Sequence, residues 1–282
     1  MAGWPEPSAE PSTFLLLADP FTTPVHDVLS VMADRYPNGL AVGGLSGGGH
    51  GPGENRLVRN ADVFNGGVVG VQLTGPIAVR TVISQGCCPI GERYVVTRAE
   101  QNMIYELGGQ PALRRLQEVF ESLEGPQRRD AHRALHVGIA IDEHRSRFER
   151  GDFLVRNLVG ADQQSGGLAI GDLVQEGQTI QFQLRDAKSA SDDLHVLLAA
   201  DRAKHRNPAL AALLFSCCGR GEGLFGRAHH DSMVVQERMG PIPVAGFFAQ
   251  GEIGPVGGRN FLHGYTASVA VFSRPDDPLD TQ

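Results

Sequence analysis

The sequence predicts an α/β fold in which mixed β-sheets are flanked by helices, arranged as two related layered units. The segments Phe14–Leu73 and Leu213–Phe272 share one order of strand, helix, strand, glycine-rich junction and further strands. Short apolar runs typical of strands alternate with runs whose apolar residues recur every three or four positions, which indicates helices. The chain of 282 residues is 41% apolar and contains 36 glycines, so it supplies a substantial core and many tight turns.

The first related segment begins with an apolar strand, Phe14–Ala18. Thr23 and Pro24 predict the N-cap and the first position of a helix, because threonine caps helices and proline fits their first turn. The apolar residues of this helix share one face: Val25, Val28, Leu29 and Met32. Leu40–Val42 is the next strand and leads into the first glycine-rich junction, Gly43–Gly49. Three more strands follow, near residues 57–63, 67–73 and 77–84.

The central part of the chain predicts a further sheet with one helix. Strand and turn sequence covers Arg93–Leu107, and Pro111 opens an amphipathic helix. Thr179–Arg185 alternates apolar and polar residues, which predicts a strand with one buried and one solvated face. Two more strands are predicted over Leu135–Ile141 and Phe153–Val159. Charged, exposed segments are predicted over Glu124–Arg133 and Glu143–Asp152.

The second related segment is preceded by a helix that Ser189 and Asp192 are predicted to cap. Ala209–Ser216 is continuously apolar, which predicts a strand buried on both faces. A single helix is predicted over Gly223–Met239. Two further strands complete this segment: Val244–Phe248 and Gly264–Phe272.

Charge and composition exclude several classes of partner. A net charge of −7 and an aromatic content of 6% leave no basic patch or stacking platform for nucleic acid. The apolar runs are shorter than the ~20 residues of a membrane helix, and the first residues do not resemble a secretory signal. The cysteines form two adjacent pairs without the spacing of a disulfide framework, Cys87-Cys88 and Cys217-Cys218. We therefore expect a cytoplasmic protein with free thiols that binds neither membrane nor nucleic acid.

The first glycine-rich junction contains a G-x-S-x-G sequence over Gly44–Gly48. A nucleophile elbow needs a sharp strand-to-helix turn at its serine, but Ser46 is followed by glycines and Pro52, which do not start a helix. A structural or ligand-facing glycine turn is therefore favoured, and a serine hydrolase is the alternative. The chain has neither a P-loop lysine nor a G-x-G-x-x-G helix start, so we predict no nucleotide cofactor. A cradle of backbone N–H groups for a small anion stays open.

Polar residues near the ends of the later strands are the main candidates for a binding site. Ligands of open α/β sheets bind at the carboxyl ends of strands, where Arg220 lies between two glycines. Its guanidinium can form a bidentate pair with a carboxylate, or it is a solvated loop arginine. Cys217 is either the nucleophile of a cysteine hydrolase or a buried and inert thiol. Glu252, also between glycines, can bind an amine or cap backbone N–H groups.

The histidines and cysteines do not form a recognisable metal motif. His132 and His136 are four residues apart, but no glutamate follows His132 as it does in H-E-x-x-H. The residues of His229-His230-Asp231 are adjacent, so they do not share one helix face. The cysteine pairs lack the C-x-x-C spacing of zinc sites. We predict no metal and no cofactor.

A series of sequence blocks, taken in order, resembles the FIST domain family. Val244–Pro255 is similar to the closing motif of the FIST C-terminal domain, and Ala41–Gly48 is similar to the end of the FIST N-terminal domain. Further blocks that fit the C-terminal domain are Tyr105–Leu113, Phe153–Gly160, Gly177–Phe182, Phe215–Gly221 and Leu262–Thr266. The resemblance covers nearly the whole chain, and the order of the blocks is more specific than any single block.

The resemblance implies a domain organisation. The expected parts are a disordered segment over residues 1–12, a partial FIST N-terminal domain over 13–90, a FIST C-terminal domain over 91–274 and a disordered tail over 275–282. The N-terminal domain is expected to be partial because family members usually carry another strand–helix–strand unit before the position of Phe14.

The resemblance also implies a function. It predicts a non-catalytic sensory and signal-transduction module that binds a small ligand, such as an amino acid or another small carboxylate, and acts through a separate signalling protein. The predicted ligand-binding residues are Ser46, Gly47, Gly48, Cys217, Gly219, Arg220, Gly221, Gly246, Glu252 and His263. A serine or cysteine hydrolase that uses Ser46 or Cys217 is the alternative. A scaffold that contacts a protein partner through a face left bare by the short N-terminal domain is a third interpretation.

Overall fold

The computed structural model describes residues 3–7, 11–125, 134–145, 148 and 151–275. The chain forms two compact units, Met1–Gln85 with Ser191–Gln282, and Gly86–Ala190. The predicted α/β class, with mixed sheets and flanking helices, is confirmed. Several predictions fall outside the described residues: disorder of residues 1, 2, 8–10 and 276–282, the charged segment at 126–133, and His132.

The elements of the first unit are, in chain order, β1 (Thr13–Ala18), α1 (Val25–Arg35), β2 (Leu40–Ser46), β3 (Leu57–Arg59), β4 (Asp62–Phe64), β5 (Val68–Leu73) and β6 (Ala78–Ser84). Those of the second unit are β7 (Cys87–Glu100), β8 (Met103–Leu107), β9 (Gln110–Pro111), α2 (Ala112–Ser122), β10 (Leu135–Ala140), β11 (Phe153–Asp162), β12 (Gly167–Ile170) and β13 (Thr179–Arg185). The rest are α3 (Ala187–Lys204), β14 (Ala211–Cys217), α4 (Gly221–Phe225), α5 (His230–Met239), β15 (Val244–Val256), β16 (Arg259–His263) and β17 (Ala267–Ser273).

The main sheet of the first unit has two halves with one pairing plan. Its strand order is β5-β1-β2-β15-β14-β17-β6, with β16 beside β15. In the N-terminal half β1 pairs parallel with β2 and antiparallel with β5. In the C-terminal half β14 pairs parallel with β15 and antiparallel with β17. The two halves meet where β2 and β15 run antiparallel, with Ser46 opposite Ala249, so a local two-fold relation passes through that pair.

Two glycines set the close approach of the parallel strands in each half. Gly43 lies opposite Leu16, and Gly246 lies opposite Leu214. Their φ angles are +156° and +151°, and a Cβ atom on either would lie 1.8 Å from the carbonyl oxygen of the opposite leucine. Only glycine fits such positions. The prediction that the first strand ends before Gly43 is therefore wrong, because β2 runs on to Ser46, and the strand predicted over Val244–Phe248 is longer than expected, because β15 runs on to Val256.

The two halves of the sheet bury their apolar faces under different helices. In the N-terminal half, the predicted apolar face of α1 packs Val25, Leu29 and Met32 onto β1 and β2. In the C-terminal half, Leu194 and Leu198 of α3 join Val234, Val235 and Met239 of α5 over β14, β17 and Val82 of β6. The continuously apolar run predicted as a buried strand is β14.

The second unit has a seven-stranded sheet of order β12-β11-β10-β13-β7-β8-β9, with antiparallel pairing throughout its described ladders. The helix α2 packs Leu116 and Val119 into the core of this unit. The alternation predicted for Thr179–Arg185 holds for its apolar residues, because Ile180, Phe182 and Leu184 are all buried.

Three helix predictions need correction. Pro24, not Thr23, occupies the N-cap of α1, and the Thr23 hydroxyl instead donates to the Gly67 carbonyl. The α3 helix begins before Ser189, whose backbone N–H donates to Asp186 Oδ1 at 2.8 Å. The single helix predicted over Gly223–Met239 is two helices, because Gly226 ends α4 in the left-handed conformation that glycine favours. Among the described residues, no helix is long and apolar enough to cross a membrane.

Candidate ligand-binding site

A buried ion pair lies beyond the carboxyl end of β14. Arg220 follows the turn after β14, and its side chain is fully buried. Its Nε lies 2.7 Å from Asp231 Oδ2, and its Nη2 lies 2.9 Å from Asp231 Oδ1. This is the bidentate geometry in which guanidinium and carboxylate pair most strongly. Of the two alternatives for Arg220, the bidentate pair with a carboxylate is correct, but that carboxylate belongs to the first turn of α5 and not to a ligand.

Other side chains complete the coordination of Asp231. The Ser216 hydroxyl donates to Oδ2 at 2.6 Å, and His230 Nδ1 lies 2.9 Å from Oδ1. Burial would raise the pKa of Asp231, but hydrogen bonds from His230, Arg220 and Ser216 and the charge of Arg220 outweigh it and hold the pKa well below its usual range. Asp231 is therefore ionised at neutral pH.

A second buried carboxyl, Glu252 of β15, lies near the same guanidinium. Its Oε2 accepts hydrogen bonds from the Thr266 amide at 3.1 Å and the Thr266 hydroxyl at 2.6 Å. Burial raises the pKa of Glu252 to about 8, although Thr266, Arg220 and Cys217 act in the opposite direction. The Arg220 guanidinium therefore lies near two carboxyl groups, but its bidentate hydrogen bonds are made to Asp231. Glu252 is consequently protonated at neutral pH, and we refer to Ser216, Arg220, His230, Asp231 and Glu252 as the buried polar network.

Aromatic contacts hold the broken helix pair against this network. The rings of Phe225 and His230 stack with centroids 3.5 Å apart, and the Arg220 guanidinium lies 5.3 Å from the Phe225 ring centre. His230 Nε2 lies 3.0 Å from the Ser191 hydroxyl. His229 and Tyr265, which adjoin the network, have φ angles of +59° and +67°. Such backbone conformations cost energy for residues other than glycine and often occur at functional sites.

A cavity of about 450 Å³ opens beside the network, within the first unit. Its lining residues come from β14, α4, α5, the turn between those helices, and the first half of β15. They are Leu214, Ser216, Gly221, Glu222, Ala228, His229, His230, Asp231, Ser232 and Val244–Phe248. Pockets of this size, largely apolar with a few polar groups, are typical of small-molecule sites.

The predicted site residues fall into four places. Gly221 and Gly246 line the cavity. Arg220 belongs to the network behind it, where Cys217 contacts Glu252, and His263 is the cross-strand neighbour of Glu252. Gly219 is in the exposed turn that precedes Arg220.

The remaining predicted residues lie at the end of β2 and do not line the cavity. A Cβ atom on Gly47 would lie 2.2 Å from the Phe248 carbonyl oxygen, and Gly48 has open space around it. Ser46 is half-buried in β2, and among the described residues no histidine or carboxylate hydrogen-bonds its hydroxyl. Because the chain continues as a glycine turn rather than a helix, Ser46 has neither the base nor the helix N-terminus that a nucleophilic serine needs.

The residues of this candidate site that the sequence did not predict include Ser216, Glu222, Asp231, Phe247 and Phe248. Asp231 was considered only as a metal ligand. A usable signal was present, because Gly226 marks a helix end and makes Asp231 a first-turn residue of a new helix. Among the residues that the structure describes, no three His, Cys, Asp or Glu side chains are grouped so that they hold a metal ion.

The fold and the site define an α/β protein whose strand–helix–strand plan occurs twice and carries, in one half, a largely apolar cavity with a few polar groups. Over residues 4–110 the chain matches the FIST N domain, and over residues 112–255 it matches the FIST C domain. The chain therefore belongs to the FIST family, whose domains are associated with sensing and signal transduction. The predicted resemblance is confirmed.

Mycobacterial proteins are similar along most of the chain. The uncharacterized protein Mb0898c of Mycobacterium bovis is 48% identical over 260 residues, which is 92% of this chain and 67% of the relative. The uncharacterized protein MT0897 of Mycobacterium tuberculosis has the same identity, 48%, and the same coverage of 92% and 67%. The uncharacterized protein Rv0628c of Mycobacterium tuberculosis is 45% identical over 258 residues, with coverage of 92% and 67%.

Proposed function

We propose that this protein is a non-catalytic sensory module whose ligand site is the cavity between β14, β15 and the N-terminus of α5. The observation that carries the proposal is the meeting of this cavity with the buried polar network. Ser216, His230 and Asp231 belong to both. A ligand in the cavity therefore contacts residues whose positions are fixed by buried hydrogen bonds, and such preorganised polar groups give specificity.

The lining favours a small zwitterion such as an amino acid, or another small carboxylate. The first turn of α5 borders the cavity, and because Arg220 neutralises the charge of Asp231 there, the helix N-terminus can attract an anion. Glu222 also borders it and supplies a carboxylate for an amine. Leu214 and Val244 provide an apolar wall for an aliphatic side chain. The three features match the carboxylate, the amine and the side chain of an amino acid.

The turn between α4 and α5, residues 226–229, is the element that would report ligand binding. It lines the cavity at Ala228 and His229, and it leads directly into His230 and Asp231. A ligand held there changes the preferred position of α5, which a separate signalling protein can read. We place this sensor in the cytoplasm, where its four cysteines, which form no disulfide in the described part of the chain, remain reduced.

A thermal-shift screen against free amino acids, acetate, pyruvate and succinate tests the proposal. Because a ligand that binds only the native state stabilises it, a ligand at a hundred times its Kd adds about 2.7 kcal/mol and raises Tm. The variant Ala228→Phe fills the mouth of the cavity and should abolish the response. The matched control Ala203→Phe places the same ring at an exposed position of α3 and should retain it.

Two results would contradict the proposal. One is a well-folded protein whose Tm responds to no compound in the screen. The other is a response that Ala228→Phe leaves intact, because the ligand then binds elsewhere.

A further inference from the structure

The first half of β15 is an open sheet edge. This strand has thirteen residues, Val244–Val256, but β2 pairs with it only between Ala249 and Ile253. Over Val244–Phe248, β14 lies on one side, and no strand among the described residues lies on the other. Ala245, Gly246 and Phe248 are exposed, with 53% of Phe248 accessible to solvent.

The hydrogen bonds of β15 show which backbone groups face this edge. The Pro243 carbonyl accepts from Ala212 N at 3.0 Å, and the Ala249 carbonyl accepts from Cys218 N at 2.8 Å. Both carbonyls therefore point toward β14. Because backbone groups of a strand alternate in direction, the N–H and C=O groups of Val244 and Gly246 point to the open edge.

The N-terminal half of the same sheet shows what fills such an edge. By the two-fold relation, Gly43 and Gly44 of β2 are the equivalents of Gly246 and Phe247. Those residues of β2 pair with Ile253 and Glu252 in an antiparallel strand. The same relation would bring residues 49 and 50 opposite Phe247 and Gly246, but β2 ends at Ser46. Within the described residues, the edge of β15 thus has no antiparallel strand where its equivalent in the N-terminal half has one.

We propose that an extended peptide segment adds to this edge, antiparallel to β15, and places one side chain in the adjoining cavity. The edge supplies main-chain hydrogen bonds, and the cavity supplies side-chain selection, as in other sites of strand addition. Val244, Gly246 and Phe248 share a face with Leu214 and Ser216, and all five line the cavity. This inference rests on the proposed function and extends its ligand class from free amino acids to peptides that place one amino-acid side chain in the same cavity.

The experiment uses the full chain and capped pentapeptides of the form acetyl-Thr-Val-Xaa-Val-Thr-amide, in which Xaa covers every residue type except cysteine. Binding is measured by titration calorimetry. The tightest peptide is then remade with a single N-methyl group at each position in turn. Because alternate amides of an added strand face its neighbour, methylation at positions of one parity should weaken binding by about tenfold or more, and methylation at the other parity should have little effect.

The matched protein variants are Val244→Pro and Val244→Ala. Proline removes the N–H that faces the open edge and leaves the Pro243 carbonyl free to accept from Ala212. We expect Val244→Pro to lose peptide binding and Val244→Ala to keep it within about threefold, since alanine retains the N–H. If Val244→Pro does not fold, the N-methyl series on the unaltered protein decides.

Each other outcome overturns the inference. Amino acids that raise Tm while no peptide binds would leave the proposed function standing and remove the peptide. If the peptide binds but N-methylation at alternate positions has the same effect as at the others, the protein recognises only a side chain and not an added strand. Dimers in sedimentation that Val244→Pro abolishes would identify the occupant as a second copy of the chain. Failure of amino acids and peptides alike would remove both proposals.

Discussion

In the N-terminal half of the sheet, Ala18 and Leu45 pack beneath the unbroken helix α1, whereas the equivalent residues of the C-terminal half, Ser216 and Phe248, face a broken helix pair and a cavity. The strand pairing is the same in both halves. The difference therefore lies in the residues that cover the sheet. Apolar side chains cover it in the N-terminal half, whereas an ion pair and a cavity lie over it in the C-terminal half. The candidate site occurs where the second half departs from the plan of the first.

The carboxylates of the two halves are stabilised differently. In the N-terminal half Asp19 is buried, and its oxygens accept from Thr22 Oγ1 at 2.6 Å and Asn55 Nδ2 at 2.7 Å. Burial raises the pKa of Asp19, but these neutral hydrogen bonds outweigh it and hold the pKa below its usual range. In the C-terminal half Asp231 is held by a guanidinium. The first arrangement closes a loop, and the second ties a helix N-terminus to the strand beside the cavity.

The largest expected effect comes from breaking this ion pair. Arg220→Ala leaves Asp231 buried without a counter-ion, which typically costs 3–5 kcal/mol, so the free energy of unfolding should fall by about that amount. Chemical denaturation of the variant measures it. In the N-terminal half, Asp19→Asn should cost only about 1–2 kcal/mol, because no charge is left unpaired.

A control for the ion pair is the double variant Arg220→Met with Asp231→Leu. It should lose less stability than Arg220→Ala, because it removes both charges together. If the double variant is as unstable as the single one, the buried pair is not the source of the effect.

Gly43 and Gly246 test whether the equivalent positions of the two halves respond alike to substitution. Gly43→Ala and Gly246→Ala each place a Cβ atom 1.8 Å from a backbone oxygen. Gly43 is buried between two strands, whereas Gly246 is exposed at the open edge. We expect the free energy of unfolding to fall by about 3 kcal/mol for Gly43→Ala and by about 1–2 kcal/mol for Gly246→Ala. The smaller loss is expected because β15 can shift away from β14 toward the open edge. Thermal unfolding measures both, and equal losses would contradict the openness of the edge.

Periodicity was sufficient to predict most of the fold. The apolar faces of α1 and β13 and the apolar run of β14 are local patterns, and each predicted its element. The division of Gly223–Met239 into two helices was missed, because Gly226 was included within one helix and the left-handed conformation of His229 depends on tertiary contacts. The pairing of Arg220 with Asp231 was missed for a related reason, since it depends on the break at Gly226, which places Asp231 in the first turn of a new helix.

The glycine-rich segments also show that a local pattern does not specify tertiary contacts. Composition predicted a glycine turn from Gly43 onward, yet Gly43 lies inside β2, just as Gly246 lies inside β15. The requirement for glycine comes from the carbonyl group of a neighbouring strand, and that neighbour is about thirty residues away in each half. Composition identified the positions that matter, but only the paired structure gives the reason.

The third prediction concerns the pH dependence of stability. It uses Glu252, which is buried near the ion pair of Arg220 and Asp231 but is not part of it. Its pKa is raised from 4.5 to about 8 in the folded protein. A carboxyl whose pKa is raised on folding stabilises the protein fully below its unfolded pKa, and this contribution is lost as the pH rises through the folded pKa. The free energy of unfolding should therefore fall by up to about 1.4 kcal/mol per pH unit between those two pKa values.

Glu252→Gln is the control for this pH dependence. Glutamine keeps the acceptor for Thr266 and carries no charge. Between pH 6 and 7.5 the free energy of unfolding should therefore fall by about 2 kcal/mol less in the variant than in the unaltered protein. Denaturation midpoints measured at several pH values for the unaltered protein and the variant provide the comparison. Identical curves for the two proteins would show that Glu252 is ionised in the fold.

The smallest expected effects come from two serines, each replaced by the residue of its two-fold equivalent. Ser216→Ala copies Ala18 and removes the hydroxyl that donates to Asp231, so it should cost about 1 kcal/mol and weaken any ligand response. Ser46→Ala copies Ala249 and should change stability by less than about 0.5 kcal/mol, because the Ser46 hydroxyl makes no such bond. It should also leave the thermal-shift response and the absence of fluorophosphonate labelling unchanged. Labelling of the unaltered protein that Ser46→Ala abolishes would reverse the assignment, since the serine of the N-terminal half would then be a nucleophile.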